Sequence, residues 1–257
     1  MTLSAWQAVL LGLIQGLTEF LPVSSSGHLV IGQALLNIEA DMITFDIFVH
    51  VGTLVAVFVA FWGDIAALLR RPFCRFTALI LVGCVPAGVM GLLLDDLFSA
   101  LFNSVTAVAC ALVVTGILLF LSDRFDGKKT LQEMRFSEAL LVGLFQGCAI
   151  TPGLSRSGST IFGALLCGMQ RREAARFSFI VSIPVILGAA AKECWDMASA
   201  GGIALEWTYF LGAFVAAASG YAAIRTFLRL LEKKNMRYFS YYVWAVALLV
   251  FGSRLLG

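Results

Sequence analysis

The chain reads as a series of long apolar runs separated by short polar joints. Six runs, at residues 43–62, 77–94, 105–121, 177–191, 209–224 and 238–251, are free of internal turn clusters. Each spans about 15–20 residues, close to the roughly 20 that carry a helix across a bilayer core of about 30 Å. They lack the apolar–polar alternation of a membrane barrel strand, so the pattern predicts six transmembrane helices. Four shorter apolar pieces, at 5–20, 28–36, 140–150 and 160–168, behave differently. In pairs they flank two clusters of turn-forming residues, LPVSSSGH at 21–28 and TPGLSRSGST at 151–160. Short apolar pieces broken by Pro, Gly and Ser predict re-entrant hairpins that dip into the membrane and come back.

The two clusters belong to an internal repeat. LLGLIQG at 10–16 resembles LVGLFQG at 141–147, and SSSG at 24–27 resembles SRSG at 155–158. Both matches keep one offset, 131 residues, as do Gly32 and Gly163. The expected organisation is a single membrane domain, 1–257, made of a first repeat over 1–122, a connection over 123–135 and a second repeat over 136–257.

Basic residues decide the orientation. None precedes Arg70, although Glu39 and Asp41 lie between the first hairpin and the first span. They cluster at Arg70, Arg71 and Arg75, at Arg124, Lys128, Lys129 and Arg135, at Arg171, Arg172 and Arg176, and from Arg225 to Arg237. The joints holding Asp95 and Asp96, and Asp196 and Glu206, have none. Positive-inside logic places the four clusters in the cytoplasm. Each half then holds one hairpin and three spans, an odd number, so the halves insert upside down relative to each other. The fold class expected is an all-α polytopic membrane protein with an inverted-topology repeat, its two broken loops meeting near the midplane.

Composition narrows the classes further. Hydrophobic residues make up 60% and charged residues 13% of 257, with a mean hydropathy of +0.92; soluble domains carry about 25% charged residues. A disordered chain, a nucleic-acid binder and a secreted disulfide scaffold are excluded. Six scattered cysteines show no metal-ligand spacing and read as apolar packing. No Lys or Arg precedes the first apolar run, which argues against a cleaved signal peptide. Glycines such as Gly12, Gly16, Gly83, Gly88 and Gly91 suit close helix packing within one chain or in a homodimer.

Polar groups at membrane depth are costly, so they mark where chemistry is to be sought. Glu19, His28, Asp46 and Arg156 stand out, whereas Lys192 and Glu193, near a span end, read as a snorkelling ion pair. Gln15 and Glu19 share a helix face. Ser24, Ser25, Ser26, Gly27 and His28 open one short helix, and Ser155, Arg156, Ser157, Gly158, Ser159 and Thr160 open its repeat equivalent. Hydroxyls, glycines and free N–H groups at helix starts favour an anion, and one Arg can grip two phosphate oxygens. A carboxylate in such a site holds a divalent cation against phosphate or works as an acid or base. Glu19 and Arg156 also fit a mutually neutralising pair, and Asp46 and His50, four apart on the first span, are candidates for lining the site.

These residues resemble the integral-membrane undecaprenyl-pyrophosphate phosphatases, the bacitracin-resistance family of bacteria. The resemblance covers essentially the whole chain and rests on QGLTEFLPVSSSGH at 15–28 and PGLSRSGST at 152–160. It implies hydrolysis of undecaprenyl pyrophosphate to undecaprenyl phosphate, which recycles the lipid carrier for peptidoglycan and other wall polymers. It also implies catalytic Glu19, a nucleophilic Ser25, His28 and phosphate-binding Arg156, with Ser155 and Thr160 in support. A divalent cation, Mg²⁺ or Ca²⁺, near Glu19 is implied too, in a plasma-membrane site open to the extracytoplasmic side. The family often has Glu where this chain has Gln15. Acid-phosphatase-type lipid phosphatases, which place a His six residues after the Arg, do not fit, because that position is Phe162. Architecture alone leaves a second function open, a transporter or flippase for a lipid phosphate or anion.

Overall fold

The computed structural model describes residues 3–38, 42–102, 104–199, 205–231, 233 and 235–256; Glu39 and Asp41 of the first joint lie outside them. Twelve α-helices are formed by the described residues: α1 (Ala5–Phe20), α2 (Ser25–Leu35), α3 (Ile43–Ala60), α4 (Trp62–Arg70), α5 (Arg75–Leu93), α6 (Asp95–Phe102), α7 (Val105–Ser122), α8 (Phe136–Cys148), α9 (Arg156–Leu166), α10 (Arg171–Ser199), α11 (Trp207–Leu231) and α12 (Met236–Leu256). The chain is an all-α polytopic membrane protein. Helices α3, α5, α7, α10 and α11 are long and apolar enough to cross a bilayer. The sixth expected span is the 21-residue α12, which packs along α7.

The 131-residue offset runs through the helix boundaries as well as the motifs. Helix α1 begins at Ala5 and α8 at Phe136; α2 covers Ser25–Leu35 and α9 covers Arg156–Leu166; α7 begins at Val105 and α12 at Met236. The two halves differ where the first is broken. It interrupts its helices at Phe61 and Leu94, giving α3–α4 and α5–α6, while the second runs straight through as α10 and α11. The sequence pattern did not predict the extra helices α4 and α6. They are amphipathic surface pieces burying one large side chain each, Ile65 and Phe98, and two turns of helix leave too short an apolar run to register.

The halves are interleaved rather than set side by side. Helix α1 packs on α11 and, by the same exchange, α8 packs on α5. Small residues make this close approach workable where lipid supplies no hydrophobic driving force between helices. A Cβ added at Gly12 would lie 2.6 Å from the Gly212 carbonyl oxygen, and one at Gly143 would lie 2.5 Å from that of Gly83. These glycines are used inside the chain. Gly88, by contrast, faces open space.

The connection between the halves is docked on the second half. Lys129 N–H donates to the Gly168 carbonyl at 3.0 Å and Gln170 N–H to that of Lys129 at 2.9 Å. Asp123 accepts from Arg171 at 3.2 Å and from the Arg237 N–H at 3.0 Å. At the opposite end Lys192 pairs with Asp95 at 3.1 Å and Asp196 at 3.2 Å. The expected Lys192–Glu193 pair is therefore corrected: adjacent helical residues point about 100° apart, whereas Asp196 is one turn away.

Both hairpin loops end inside the bundle, where the freed helix ends have no water to bond. Ser24 Oγ accepts from Gly27 N–H at 3.4 Å, and the repeat equivalent, Ser155 Oγ, accepts from Gly158 N–H at 3.1 Å. Thr115 of α7 pins the second loop from both sides. Its hydroxyl donates to the Gly153 carbonyl and accepts from Ser155 N–H, both at 2.9 Å. Gly153 has φ +91, and a Cβ there would sit 2.3 Å from the Val108 carbonyl oxygen. The first loop reaches its turn at Ser24, with φ 70, a left-handed conformation that costs a non-glycine residue about 1–3 kcal/mol.

Two outcomes follow for thermal unfolding of detergent-purified protein. Gly16→Val should lower the midpoint by the equivalent of about 1–3 kcal/mol or more, because a Cβ there would meet the Ala216 carbonyl oxygen at 2.5 Å, while Gly88→Ala should leave it unchanged. Thr115→Val keeps the shape but leaves a buried N–H and C=O unpaired, at about 1–3 kcal/mol each; an unchanged midpoint would show that the loop holds without this clamp.

Candidate active site

The two loops touch. Ser157 Oγ of α9 donates to the Leu21 carbonyl of the first loop at 3.3 Å, and a Cβ at Gly27 would lie 3.3 Å from the Gly153 Cα. At this junction the Glu19 side chain, only 5% exposed, forms an ion pair with Arg156. Arg156 Nη2 donates to Glu19 Oε1, and Ser25 Oγ donates to Glu19 Oε2 at 2.5 Å. Gln15, one turn back on α1 and fully buried, donates from Nε2 to the same Oε2 at 3.1 Å.

Ser25 and Arg156 occupy one position of the repeat, the first residue of α2 and of α9. Glu19, by contrast, has Ile150 as its counterpart. A single carboxylate on α1 therefore receives a hydroxyl from one hairpin and a guanidinium from the other. Two buried atoms here lack a hydrogen-bond partner among the described residues, Arg156 Nη1 and Gln15 Oε1. One is a donor and one an acceptor. Unpaired buried polar groups are expensive and are met by a ligand where a site is built for one.

The two histidines take different places. His28 Nδ1 lies 2.8 Å from the Ser24 carbonyl and Nε2 lies 2.9 Å from the Tyr242 hydroxyl. A carbonyl can only accept, so Nδ1 carries the hydrogen and Nε2 accepts from Tyr242. The imidazole also stacks on the Tyr242 ring, centroids 5.6 Å apart. His28 is thus held between the strained Ser24 and α12. His50 has the same Nδ1 arrangement, donating to the Asp46 carbonyl at 2.7 Å, but its Nε2 faces Glu19 Oε2 at 3.9 Å. His50 is the imidazole that reaches the carboxylate. Asp46 orients it through the backbone, and its own carboxylate accepts from Gln33 at 3.0 Å.

The remaining hydroxyls divide between capping and bracing. Ser24 and Ser155 cap their helices, and Ser26 and Ser157 sit beside them, each Oγ 3.4 Å from the cap hydroxyl. Thr160, fully buried, donates to the Arg156 carbonyl at 2.8 Å and lies 2.6 Å from Ser178 Oγ; it braces the turn that carries Arg156. Sequence reasoning did not single out Thr115, Tyr242, Gln33 or Ser178. A hydroxyl inside the apolar run 105–121 was the signal available for Thr115, whereas Tyr242 was indistinguishable from an interfacial aromatic.

Hard divalent cations bind oxygen, with one or two carboxylates and substrate phosphates completing the shell. Glu19 and the unpaired Gln15 Oε1 fit as the protein's share of such a set. Among the described residues no three His, Cys, Asp or Glu side chains converge into a self-sufficient metal site, so phosphate oxygens would have to complete it.

Comparison with known proteins finds relatives over nearly the whole chain. The family model described as "Bacitracin resistance protein BacA" matches residues 8–249. The chain is 47% identical over 249 residues to an undecaprenyl-diphosphatase of Halothermothrix orenii, covering 95% of this chain and 96% of the relative. It is 43% identical over 253 residues to that of Carboxydothermus hydrogenoformans, covering 96% and 97%. Undecaprenyl-diphosphatase 4 of Bacillus cereus is 36% identical over 246 residues, covering 95% of each. With its two interrupted hairpins, its paired Ser25 and Arg156 and a match over nearly its full length, the chain belongs to the bacitracin resistance protein BacA family.

Proposed function

We propose that the chain removes the terminal phosphate of undecaprenyl pyrophosphate at the junction of Glu19, Ser25 and Arg156, releasing inorganic phosphate. It is an undecaprenyl-diphosphatase by its family and by relatives matched end to end. Undecaprenyl phosphate, the product, returns to carry peptidoglycan and other wall precursors, and its regeneration confers resistance to bacitracin. The observation that carries the assignment of the site is the Glu19 carboxylate holding a serine and an arginine from repeat-equivalent helix starts.

Phosphoryl transfer needs positioning and charge stabilisation more than elaborate covalent machinery. Arg156 keeps Nη2 on Glu19 and offers the unpartnered Nη1 to a phosphate oxygen, a division that its planar fork allows and a lysine does not. The starts of α2 and α9 add their dipoles, with the N–H groups of Ser26 and Ser157 turned to the phosphate while those of Gly27 and Gly158 donate to their cap hydroxyls. Ser25 Oγ attacks the terminal phosphorus, the bond to the bridging oxygen breaks, and undecaprenyl phosphate departs. The serine proton passes to Glu19 and from it to the departing phosphate. Water then attacks the phosphoserine and gives its proton to Glu19, which passes it to Ser25 Oγ as the serine–phosphorus bond breaks, freeing Ser25 and inorganic phosphate. His50 stands beside Glu19 to share that proton, and His28 positions Ser24 and hence the α2 start. Glu19 and Gln15 would hold a divalent cation, Mg²⁺ or Ca²⁺, which when bound would add neutralisation of the pyrophosphate oxygens.

The four basic clusters face the cytoplasm of a bacterial plasma membrane, the two halves lie in opposite orientations, and the site opens to the extracytoplasmic side. Every residue invoked comes from one chain, so a homodimer, where it forms, need not complete the site.

Purified protein in detergent should release inorganic phosphate from undecaprenyl pyrophosphate, with chelator suppressing release and Mg²⁺ or Ca²⁺ restoring it. Glu19→Ala, Arg156→Ala and Arg156→Lys should each lose at least about 100-fold in kcat/KM, on the scale of removing one charge-stabilising donor. Near-normal turnover by Arg156→Lys would refute the forked grip. Full activity in Ser25→Ala would transfer the attack to a water activated by Glu19. No release at all from folded protein would favour the transporter reading, to be examined by lipid translocation in sealed vesicles.

A further inference from the structure

Helices α7 and α12 hold the same place in the two halves, and each fastens one hairpin loop by a different device. On α7, Thr115 clamps the backbone of the second loop directly. Its counterpart on α12 is Val246, which has no hydroxyl. One turn earlier α12 carries Tyr242 where α7 carries Ala111, and Tyr242 reaches the first loop through an imidazole. Its hydroxyl lies 2.9 Å from His28 Nε2, and the two rings stack with 12° between their planes. The pairing belongs to the first loop alone, because the residues equivalent to His28 and Tyr242 are Ser159 and Ala111.

The imidazole joins Tyr242 to the residue that precedes Ser25. The Ser24 carbonyl accepts twice from His28, from its backbone N–H at 3.3 Å and from Nδ1–H at 2.8 Å. Ser24 turns the chain into α2 with φ 70, and a non-glycine residue keeps such a conformation only where its surroundings over-determine it. Ser25, the next residue, donates to Glu19. A neutral imidazole has one N–H, so the partner at one nitrogen bears on what the other can do. The Ser24 carbonyl requires the hydrogen on Nδ1, which leaves Nε2 an acceptor in need of a donor. The Tyr242 hydroxyl is that donor, and the stacked ring fixes the plane in which the imidazole lies.

We propose that Tyr242 is a positioning residue for the attack by Ser25; the proposal rests on the phosphatase reading. By holding His28 at Nε2 it keeps Nδ1–H on the Ser24 carbonyl, and the turn so held sets where the Ser25 hydroxyl stands against Glu19. The phosphate itself is gripped by Arg156 on the other hairpin, so loss of the Tyr242 hydroxyl falls on the rate of attack and not on substrate binding. Tyr242 is 47% exposed, so removing one oxygen from it leaves the packed core untouched.

Phosphate release and ring ¹⁵N spectra of the detergent-purified full chain test this. Histidine-labelled protein contains two imidazoles, and a His50→Asn sample assigns them. In unaltered protein His28 should carry its hydrogen on Nδ1, and Tyr242→Phe should move the Nε2 signal to that of a nitrogen without a donor. The same variant keeps the stacked ring and should lower kcat for undecaprenyl pyrophosphate at least about tenfold, the scale of a slightly misplaced reacting group. Its KM and its unfolding midpoint should stay as in unaltered protein. Tyr241→Phe, whose ring lies against Trp244, should match unaltered protein in every measurement. A His28 hydrogen on Nε2 in unaltered protein, an unmoved Nε2 signal in Tyr242→Phe, or an unchanged kcat in that variant overturns the role of Tyr242 and leaves the phosphatase reading intact. A raised KM at unchanged kcat would make Tyr242 a substrate contact and overturns it equally. Absence of turnover in unaltered protein overturns the phosphatase reading, and the positioning role with it.

Discussion

The constraint on which this structure depends is that broken backbone cannot face lipid. Every helix end inside a bilayer exposes N–H or C=O groups that water cannot satisfy, so interruptions are tolerated only where the protein itself supplies partners. Among the described residues the two hairpin loops are such interruptions, and both are enclosed by the spans. Ser24 and Ser155 cap the helices that follow them, Thr115 clamps the second loop across two bonds, and Ser157 reaches over to the first. The same enclosure makes the site. Two helix starts enclosed away from water turn the positive ends of their dipoles on one point, and the Glu19 carboxylate drawn there accepts from a serine and an arginine.

Duplication explains how two interruptions come to face each other, and divergence explains why the result is useful. The scaffold is repeated down to the serine pairs beside each helix start, with both cap-to-neighbour distances at 3.4 Å. Chemistry enters where the halves disagree. Glu19 stands opposite Ile150, Ser25 opposite Arg156 and His28 opposite Ser159. Symmetry supplies the convergent geometry, and the differences at equivalent positions bring a carboxylate, a hydroxyl and a guanidinium to one junction.

Much of this was legible along the chain. Five of the six expected spans, the two interrupted hairpins and the offset followed from apolar run length and turn chemistry, which are local properties. Glu19 and Arg156 were legible because a polar group at membrane depth is conspicuous, whereas Ser25 was set apart from its neighbouring serines only by the family resemblance. The roles of the histidines were not. His28 sits within the signature and His50 four residues from Asp46, yet the first turns to Tyr242, 214 residues away, while the second faces Glu19. Lys192 likewise found partners across the bundle and one turn along its helix, and not in its chain neighbour.

What the sequence determined alone is the membrane class, the placement of the spans and breaks, and the set of residues from which a site could be made. Hydropathy, turn propensity and the cost of buried charge act on short stretches and leave their mark in residue order. Tertiary structure alone decided which of those residues meet. Whether Gly12 packs against a second copy or against Gly212, and which imidazole reaches the carboxylate, depend on how the two halves interleave. Those contacts join positions as far apart as 12 and 212, and nothing in the local pattern of either position records the other.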